Sequence, residues 1–383
     1  MIPLSVPNFI GNELKYVSDA IETEWVSTGG EYINTFETNI AKYVGVEKAV
    51  ACQSGTAGLH IAEILCGVEK DDLIIVPTLT FIAAVNPVKY VGASPIFMDC
   101  DESLCIDPIK LRAFCEEQCE IIGDYLYYKK TKQRISCVVV VHIFGNMADM
   151  DEIINIAHQY RLKVIEDATE ALGTKFLVGK YAGKYAGTIG DVGVYSFNGN
   201  KIITCGGGGM LVSKDNELLI RAKHLTTQAK SDELYYEHDE IGYNYRMTNL
   251  QAALGVAQLE NLEKFINIKN ANYELYRELL SQYDSIELLD VRKDIRSNRW
   301  FYSLYLKDDA IDRDAMINYL LDNGIQVRPI WGLIHEQKPY LDDLKYNIEI
   351  AVNYRNKVIN VPCSTNLRKE DIEFVVSKIS NYG

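Results

Sequence analysis

Lys201 is the residue whose setting could do chemistry. It follows the turn Asn198-Gly199-Asn200, precedes the apolar pair Ile202-Ile203, and stands just ahead of four glycines at 206–209. A primary amine attacks a carbonyl only when deprotonated, and desolvation beside apolar neighbours lowers a lysine's pKa toward that state. The glycines carry no Cβ and tolerate positive φ, so backbone there could approach a flat or charged ligand. Three further groups suit such an amine. The run Gln53-Ser54-Gly55-Thr56-Ala57-Gly58 reads as a small-residue turn between a strand and a helix, where backbone N–H groups and hydroxyls can meet a phosphate. Phe81 falls at a strand-to-helix junction and could stack on a planar ring. Asp167 closes a strand in Glu166-Asp167-Ala168-Thr169-Glu170, where a carboxylate could keep a ring nitrogen protonated as an electron sink. Each has a plainer reading alone: a surface turn, a helix cap, a core phenylalanine, a salt-bridging aspartate. Together they are the groups that pyridoxal phosphate needs.

The elements that must hold these residues follow from pattern. An arm over residues 1–30 carries a helix from Glu13 to about Glu24, and a second helix runs from Ile33 to Tyr43. Strands are expected at Ala49–Cys52, Leu73–Val76, Ser94–Cys100, Ile135–Val141, Leu162–Ile165 and Asp191–Phe197. Helices are expected from about Gly58 to Cys66, after Phe81, after Asp107-Pro108, and from the capping box at Asp149 through Tyr160. Tyr125–Arg134, with its KKTKQR run, reads as an exposed insertion. The alternation of strand and helix over 49–170 implies parallel units in a doubly wound α/β sheet, with the acidic residues after Ile165 placed for chemistry rather than packing. Beyond 247 the pattern is that of a smaller second domain. A capping box at Thr248 and Gln251 opens one long connecting helix reaching about Phe265, Trp300–Leu306 is a strand, and Asp314–Asn323 is a helix. The division is 1–247 for the large domain with its arm and 248–383 for the small one.

Bulk composition narrows the function. The chain has 383 residues, 48% hydrophobic and 24% charged, enough for two domains with sizeable cores. A net charge of −14 argues against nucleic acid or an acidic membrane as partner. Nine cysteines lack CxxC pairs; Cys115 and Cys119, read on one helix, have no matching histidines, so no metal site is expected. Reduced buried thiols, no secretory signal and no apolar run near the roughly 20 residues of a membrane span indicate a cytoplasmic protein.

The spaced motifs Ser54-Gly55-Thr56-Ala57, Glu166-Asp167-Ala168, Tyr195-Ser196-Phe197 with Lys201, and Gly242-Tyr243-Asn244-Tyr245-Arg246 resemble the nucleotide-sugar aminotransferases of the DegT/DnrJ/EryC1/StrS family across essentially the whole chain. The resemblance implies a fold-type I pyridoxal 5'-phosphate transferase: a mostly parallel central sheet with helices on both faces, and a smaller α+β C-terminal domain. It implies that Lys201 holds the cofactor covalently, Asp167 pairs with its ring nitrogen, and Phe81 lies against the ring. Gly55, Thr56 and Ser196 would hold the phosphate, with Asn244 reaching in from a second subunit of a homodimer. Glu170 stands where many members have Gln or His near the phenolic oxygen, and Gly207 replaces a glutamate. The family often contacts the sugar nucleotide through the loop carrying Arg328, Trp331 and His335.

Within the family, the GNKIITxGGGG stretch, Lys223–Thr227, His238-Asp239-Glu240 and the KKTKQR run look like the branch making UDP-4-amino-4,6-dideoxy-N-acetylglucosamine for legionaminic acid and bacillosamine-type glycans. The implied reaction takes an amino group from L-glutamate to a UDP-linked 4-keto sugar, with Lys201 moving the proton. GDP-perosamine synthases are the rival. A dehydrating relative would carry histidine in place of Lys201, and a noncatalytic regulator would not need the lysine, aspartate and phosphate set.

Overall fold

Seven short runs form the body of a ten-stranded main sheet, and their burial pattern explains why. The computed structural model describes residues 1–232 and 234–382. The strands are β1 (Ala49–Cys52), β2 (Leu73–Pro77), β3 (Ser94–Met98), β4 (Arg134–Val141), β5 (Lys163–Asp167), β6 (Val192–Ser196) and β7 (Gly209–Val212), in the order β1-β7-β6-β5-β4-β2-β3. β6, β5, β4, β2 and β3 pair in parallel, while β7 runs antiparallel to both neighbours. Side chains alternate across the sheet, so Ala49 and Ala51 enter one core while Val50 and Cys52 enter the other. The helix Gly55–Leu65 covers the second face through Leu59, Ile61 and Ala62, and Met150–Tyr160 covers the first through Ile153, Ile156 and Ala157. A strand buried on both faces needs the near-continuous apolar run that β1, β2 and β7 have.

A second, four-stranded antiparallel sheet joins Ile286–Leu288, Tyr302–Leu306, Val358–Val361 and Arg328–Pro329 in that order. The helices Leu262–Leu280, Arg313–Asp322 and Lys369–Ser380 enclose its own core. The capping box at Thr248 and Gln251 forms as expected. The helix it opens, however, stops at Leu259, and a new one starts at Leu262. Asn261 adopts φ −105°, ψ 0° at the break, and Glu260 accepts hydrogen bonds from Asn12 and Tyr16 of the arm. Asn249–Leu259 therefore packs with the arm helix Glu13–Glu22 and with Glu31–Val44, on the large-domain side. Leu344–Tyr346 likewise crosses back as a parallel edge strand beside β3.

Three local readings differ from the structure. Tyr125–Tyr128 is a strand, paired with Cys119–Ile122 and with β4, which leaves only residues 129–133 as the turn. Cys119 consequently begins a strand and does not share a helix with Cys115; all nine cysteines are unpaired. After Phe81 the chain makes a single 3₁₀ turn, Ile82–Ala84, before the short helix Asn86–Tyr90. No helix among the described residues is long and apolar enough to cross a membrane.

Asp99, just past β3, ties the main sheet to the helix Ile350–Lys357, some 250 positions further along the chain. Its fully buried carboxylate accepts from the backbone N–H groups of Glu349, Ile350 and Ala351 and from Lys110 Nζ, each at 2.8 Å. It caps the helix Ile350–Lys357, which has no side-chain cap of its own. Burial alone would raise its pKa, but Lys110 and these amides outweigh it and hold the carboxyl below its ordinary value. A depressed carboxylate contributes stability that is complete above its unfolded pKa of about 3.9 and is lost as pH falls through the folded value. Asp99→Asn should therefore cost about 1–3 kcal/mol at pH 7, with the difference from wild type shrinking below about pH 4. Urea titrations at both pH values check this, and an equal loss at both would contradict it.

Candidate active site

Lys201 lies in a loop closed on Phe197, the residue after β6. Phe197 N–H donates to the Gly208 carbonyl at 2.9 Å, and its own carbonyl accepts from Cys205 N–H at 2.9 Å and Thr204 Oγ1 at 3.2 Å. Ile202 and Ile203 bury beneath the loop, which leaves the Lys201 side chain 12% exposed at the rim of a cavity of about 310 Å³. Its Nζ is 3.8 Å from Glu170 Oε1 and 4.0 Å from the centre of the Trp300 ring. Desolvation lowers the Lys201 pKa, opposed by the negative charges of Glu170 and Asp167. Burial pushes the Glu170 carboxyl up, partly offset by Lys201 and by Phe144 N–H, which donates to Oε2 at 2.7 Å.

Asp167 emerges at the carboxyl end of β5, where ligands collect in open α/β sheets. It is 4% exposed, and one of its oxygens accepts from Thr169 N–H at 3.0 Å. Burial raises its pKa, and it forms no ion pair among the described residues. Glu166, one residue earlier, points to the opposite face and is not a site residue. Its buried carboxylate accepts from the Gly187, Ile189 and Gly190 amides and from His142 Nε2. That corrects the reading of the whole acidic run as chemistry: alternation along β5 sends one acid to the cavity and the other to anchor a turn.

Ser54 caps the helix Gly55–Leu65, its Oγ accepting from Ala57 N–H at 3.1 Å, so the helix begins three residues before the expected Gly58. First-turn amides have no acceptor within the helix and carry its positive dipole end, and Gly55 and Thr56 place that end in the cavity wall. A Cβ on Gly55 would lie 2.9 Å from Ser196 Cβ and 3.0 Å from Thr169 Cγ2, so glycine alone lets these three chain segments converge. Among the glycines at 206–209 the reasons differ. Gly207 and Gly208 line the cavity, and Gly208 has φ +112°. Gly209 answers to the protein itself, since its Cβ would sit 2.6 Å from the Ser54 carbonyl oxygen.

One cavity thus gathers Lys201, Asp167, Glu170, Gly55, Thr56, Ser196, Phe81 and Trp331. Phe81 is 52% exposed, its ring centre 5.8 Å from that of Trp331. Two of the expected substrate residues lie elsewhere. Arg328 is exposed on its strand, and its Nη1 donates to the Val327 carbonyl. His335 is buried against Phe97, with Nδ1 2.6 Å from Thr78 Oγ1, a structural position. Asn244 is exposed and outside its own chain's cavity, in a segment pinned by Tyr243 N–H to Leu225 and by Gln53 N–H to the Tyr245 carbonyl. The stretches Lys223–Thr227 and His238–Glu240 meet each other on the surface: His224 Nε2 lies 2.7 Å from Asp239, and Arg221 pairs with Glu240. Trp300, Phe301, Asn198, Asn200 and Thr169 line the cavity and were not singled out in the sequence. Trp300 comes from just before the strand Tyr302–Leu306 of the second sheet, and nothing local in its sequence signals that destination.

The sequence profile of the DegT/DnrJ/EryC1/StrS aminotransferase family matches residues 8–380. A GDP-perosamine synthase of Escherichia coli O157:H7 is 34% identical over 385 residues, covering 100% of this chain and 98% of that protein. A UDP-4-amino-4,6-dideoxy-N-acetyl-beta-L-altrosamine transaminase of Campylobacter jejuni is 29% identical, covering 98% and 96%. Among solved structures, the aminotransferase TlmJ from Streptoalloteichus hindustanus superposes with a TM-score of 0.88 at 26% identity, covering 100% of this chain and 98% of that one.

Proposed function

The chain belongs to the DegT/DnrJ/EryC1/StrS aminotransferase family, and from that premise we propose that it moves an amino group from L-glutamate to C4 of a UDP-linked 4-keto-6-deoxy-N-acetylhexosamine, giving UDP-4-amino-4,6-dideoxy-N-acetylglucosamine. It is a sugar aminotransferase, and the family works with pyridoxal 5'-phosphate. The observation that carries the site assignment is the buried Asp167 facing the same cavity as Lys201. A carboxylate buried without a cation is costly, and a protonated ring nitrogen supplies the missing charge. The bound cofactor contributes an electron sink for the carbon from which a proton is removed.

The chain's own groups do the rest. Lys201 would be the covalent anchor and afterwards the base that takes and returns the proton; desolvation lowers its pKa, the direction that favours the free amine. Gly55, Thr56 and Ser196 would hold the phosphate at the helix N-terminus, Phe81 would cover the ring, and Glu170 would meet the phenolic oxygen; all five line the cavity. Trp331 is placed to touch the sugar nucleotide, whereas Arg328 and His335 do not line this cavity.

The protein works as a homodimer in which Asn244 completes the phosphate site of the partner. In support, Asn244 lies outside its own cavity while Tyr235, Tyr236 and Ile241 nearby are 73%, 72% and 84% exposed. Large exposed apolar side chains in one region mark a contact surface.

For the nucleotide, the sequence motifs favour UDP, whereas 34% identity to GDP-perosamine synthases over nearly full length favours GDP-4-keto-6-deoxymannose as the second reading. An assay with L-glutamate and each 4-keto-6-deoxy sugar nucleotide decides: turnover of the UDP substrate at least tenfold faster is expected. Turnover of the GDP substrate alone would replace the first reading with the second.

A further inference from the structure

We propose that Lys269, on a small-domain helix outside the cavity, is a positioning residue for Lys201 that acts through Trp300. Lys269 is 3% exposed, and no carboxylate pairs with it among the described residues. Its Nζ donates to two backbone carbonyls from separate segments, Trp300 at 2.9 Å and Cys363 at 2.6 Å. A buried ammonium held by two carbonyl dipoles and facing the Tyr302 ring, whose centre is 5.6 Å away, is expensive to keep without a carboxylate, and an apolar side chain of similar volume is the ordinary occupant of such a core position.

What the cation holds leads directly to the reactive amine. Trp300 Nε1 donates to the Asn200 carbonyl at 2.6 Å, fixing the residue before Lys201, and the indole face lies 4.0 Å from Lys201 Nζ. An aromatic face attracts an ammonium most when both are desolvated. Lys201 thus feels two acids, Glu170 and Asp167, and an indole at once. The neighbouring Arg299 adds no competing charge there: its guanidinium lies over Tyr273 and pairs with Asp290. Titratable groups near Lys269 are the Cys363 thiol, itself directed at the Trp300 and Leu4 carbonyls, and the Tyr302 phenol, which donates to the Lys269 carbonyl. Lys269 therefore connects to the amine from ammonium to the Trp300 carbonyl to its indole.

This inference rests on Lys201 being the reactive amine of the proposed function, so the test reads that amine directly in cofactor-free, full-length protein. Trace acylation with acetic anhydride across pH, followed by mass spectrometry of the Lys201 peptide, gives the protonation midpoint of the residue. Trp300→Phe removes the indole N–H and weakens the face, and is expected to lower the midpoint by about half a unit or more. Lys269→Met keeps the stem and loses the donors, and is expected to shift it in the same direction by a smaller amount. Should Lys269→Met not fold, Lys269→Gln takes its place with the same expected direction. Tyr276→Phe, in the same helix and equally buried, is expected to leave the midpoint unchanged. A folded Lys269 variant with a reduced thermal midpoint but a wild-type Lys201 midpoint would overturn the proposal, as would an unshifted Trp300→Phe. Either result can coexist with a borohydride-reducible cofactor adduct in the wild type, which keeps the proposed function standing. Absence of that adduct would instead remove the function and leave the Lys201 midpoints readable.

Discussion

Lys201→Ala is expected to abolish the adduct that borohydride traps on the wild-type protein and to lower transamination by at least about 10²–10⁴-fold, the usual worth of a positioned acid–base group. After incubation with pyridoxal phosphate and reduction, the wild-type peptide carrying Lys201 should bear the phosphopyridoxyl mass and the variant should bear none. The loss is specific because, among the described residues, Lys201 is the one lysine lining the cavity. Stability should move little, since the substitution removes a partly desolvated ammonium 3.8 Å from Glu170, a separation at which the ion pair is long and weakly bonded. A variant with wild-type thermal stability and no adduct is the expected outcome. Reduction that labels another lysine in the wild type, such as the half-exposed Lys223 paired with Glu37, would show that the amine was assigned to the wrong position.

The residues legible in the sequence are those whose role and local conformation coincide. A glycine and a hydroxyl at the start of a helix, an aspartate at the end of an apolar strand and a lysine after a polar turn each carry their placement in the few residues around them. The parallel sheet was legible for the same reason, through short apolar runs alternating with helices. Trp300 and Phe301 were not, because they reach the cavity from the lead-in to the second sheet, by packing set almost a hundred residues after Lys201 in the chain. Glu166 misled because strand alternation, and not the identity of the acid, decides which face it meets. His335 and Arg328 misled in the same way: a loop near a site was readable, but not which side chains of that loop turn inward. The helix break at Glu260–Asn261 follows from the arm, whose Asn12 and Tyr16 bond Glu260 across some 250 positions of sequence. A capping box shows where a helix starts and says nothing of such a distant contact.

Asp167→Asn should separate the two states of the protein by opposite signs. In cofactor-free protein the carboxylate is buried, its pKa is raised by desolvation, and Lys201 favours Glu170 as its nearer acid. A carboxyl whose folded pKa lies above its unfolded value contributes stability that is present at low pH and is lost as pH rises past the unfolded value of about 4 toward the folded one. Asparagine has no such penalty and keeps an oxygen for the Thr169 N–H, so the cofactor-free variant should be as stable as the wild type or more so at pH 7 and indistinguishable from it in acid. Loaded protein should behave in reverse. There, on the proposed assignment, the wild-type carboxylate would face a protonated ring nitrogen, and its loss should lower transamination by about 10²–10³-fold, the magnitude expected when one preorganised electrostatic group is removed. The rise in thermal midpoint on adding pyridoxal phosphate should shrink accordingly, while the reducible adduct on Lys201 still forms. Thermal melts of both proteins with and without cofactor at pH 7 make the comparison. An Asp167→Asn protein that gains as much from the cofactor as the wild type would mean that the charge on this residue meets no cation in the loaded site, and the assignment of Asp167 to the ring nitrogen would fall with it.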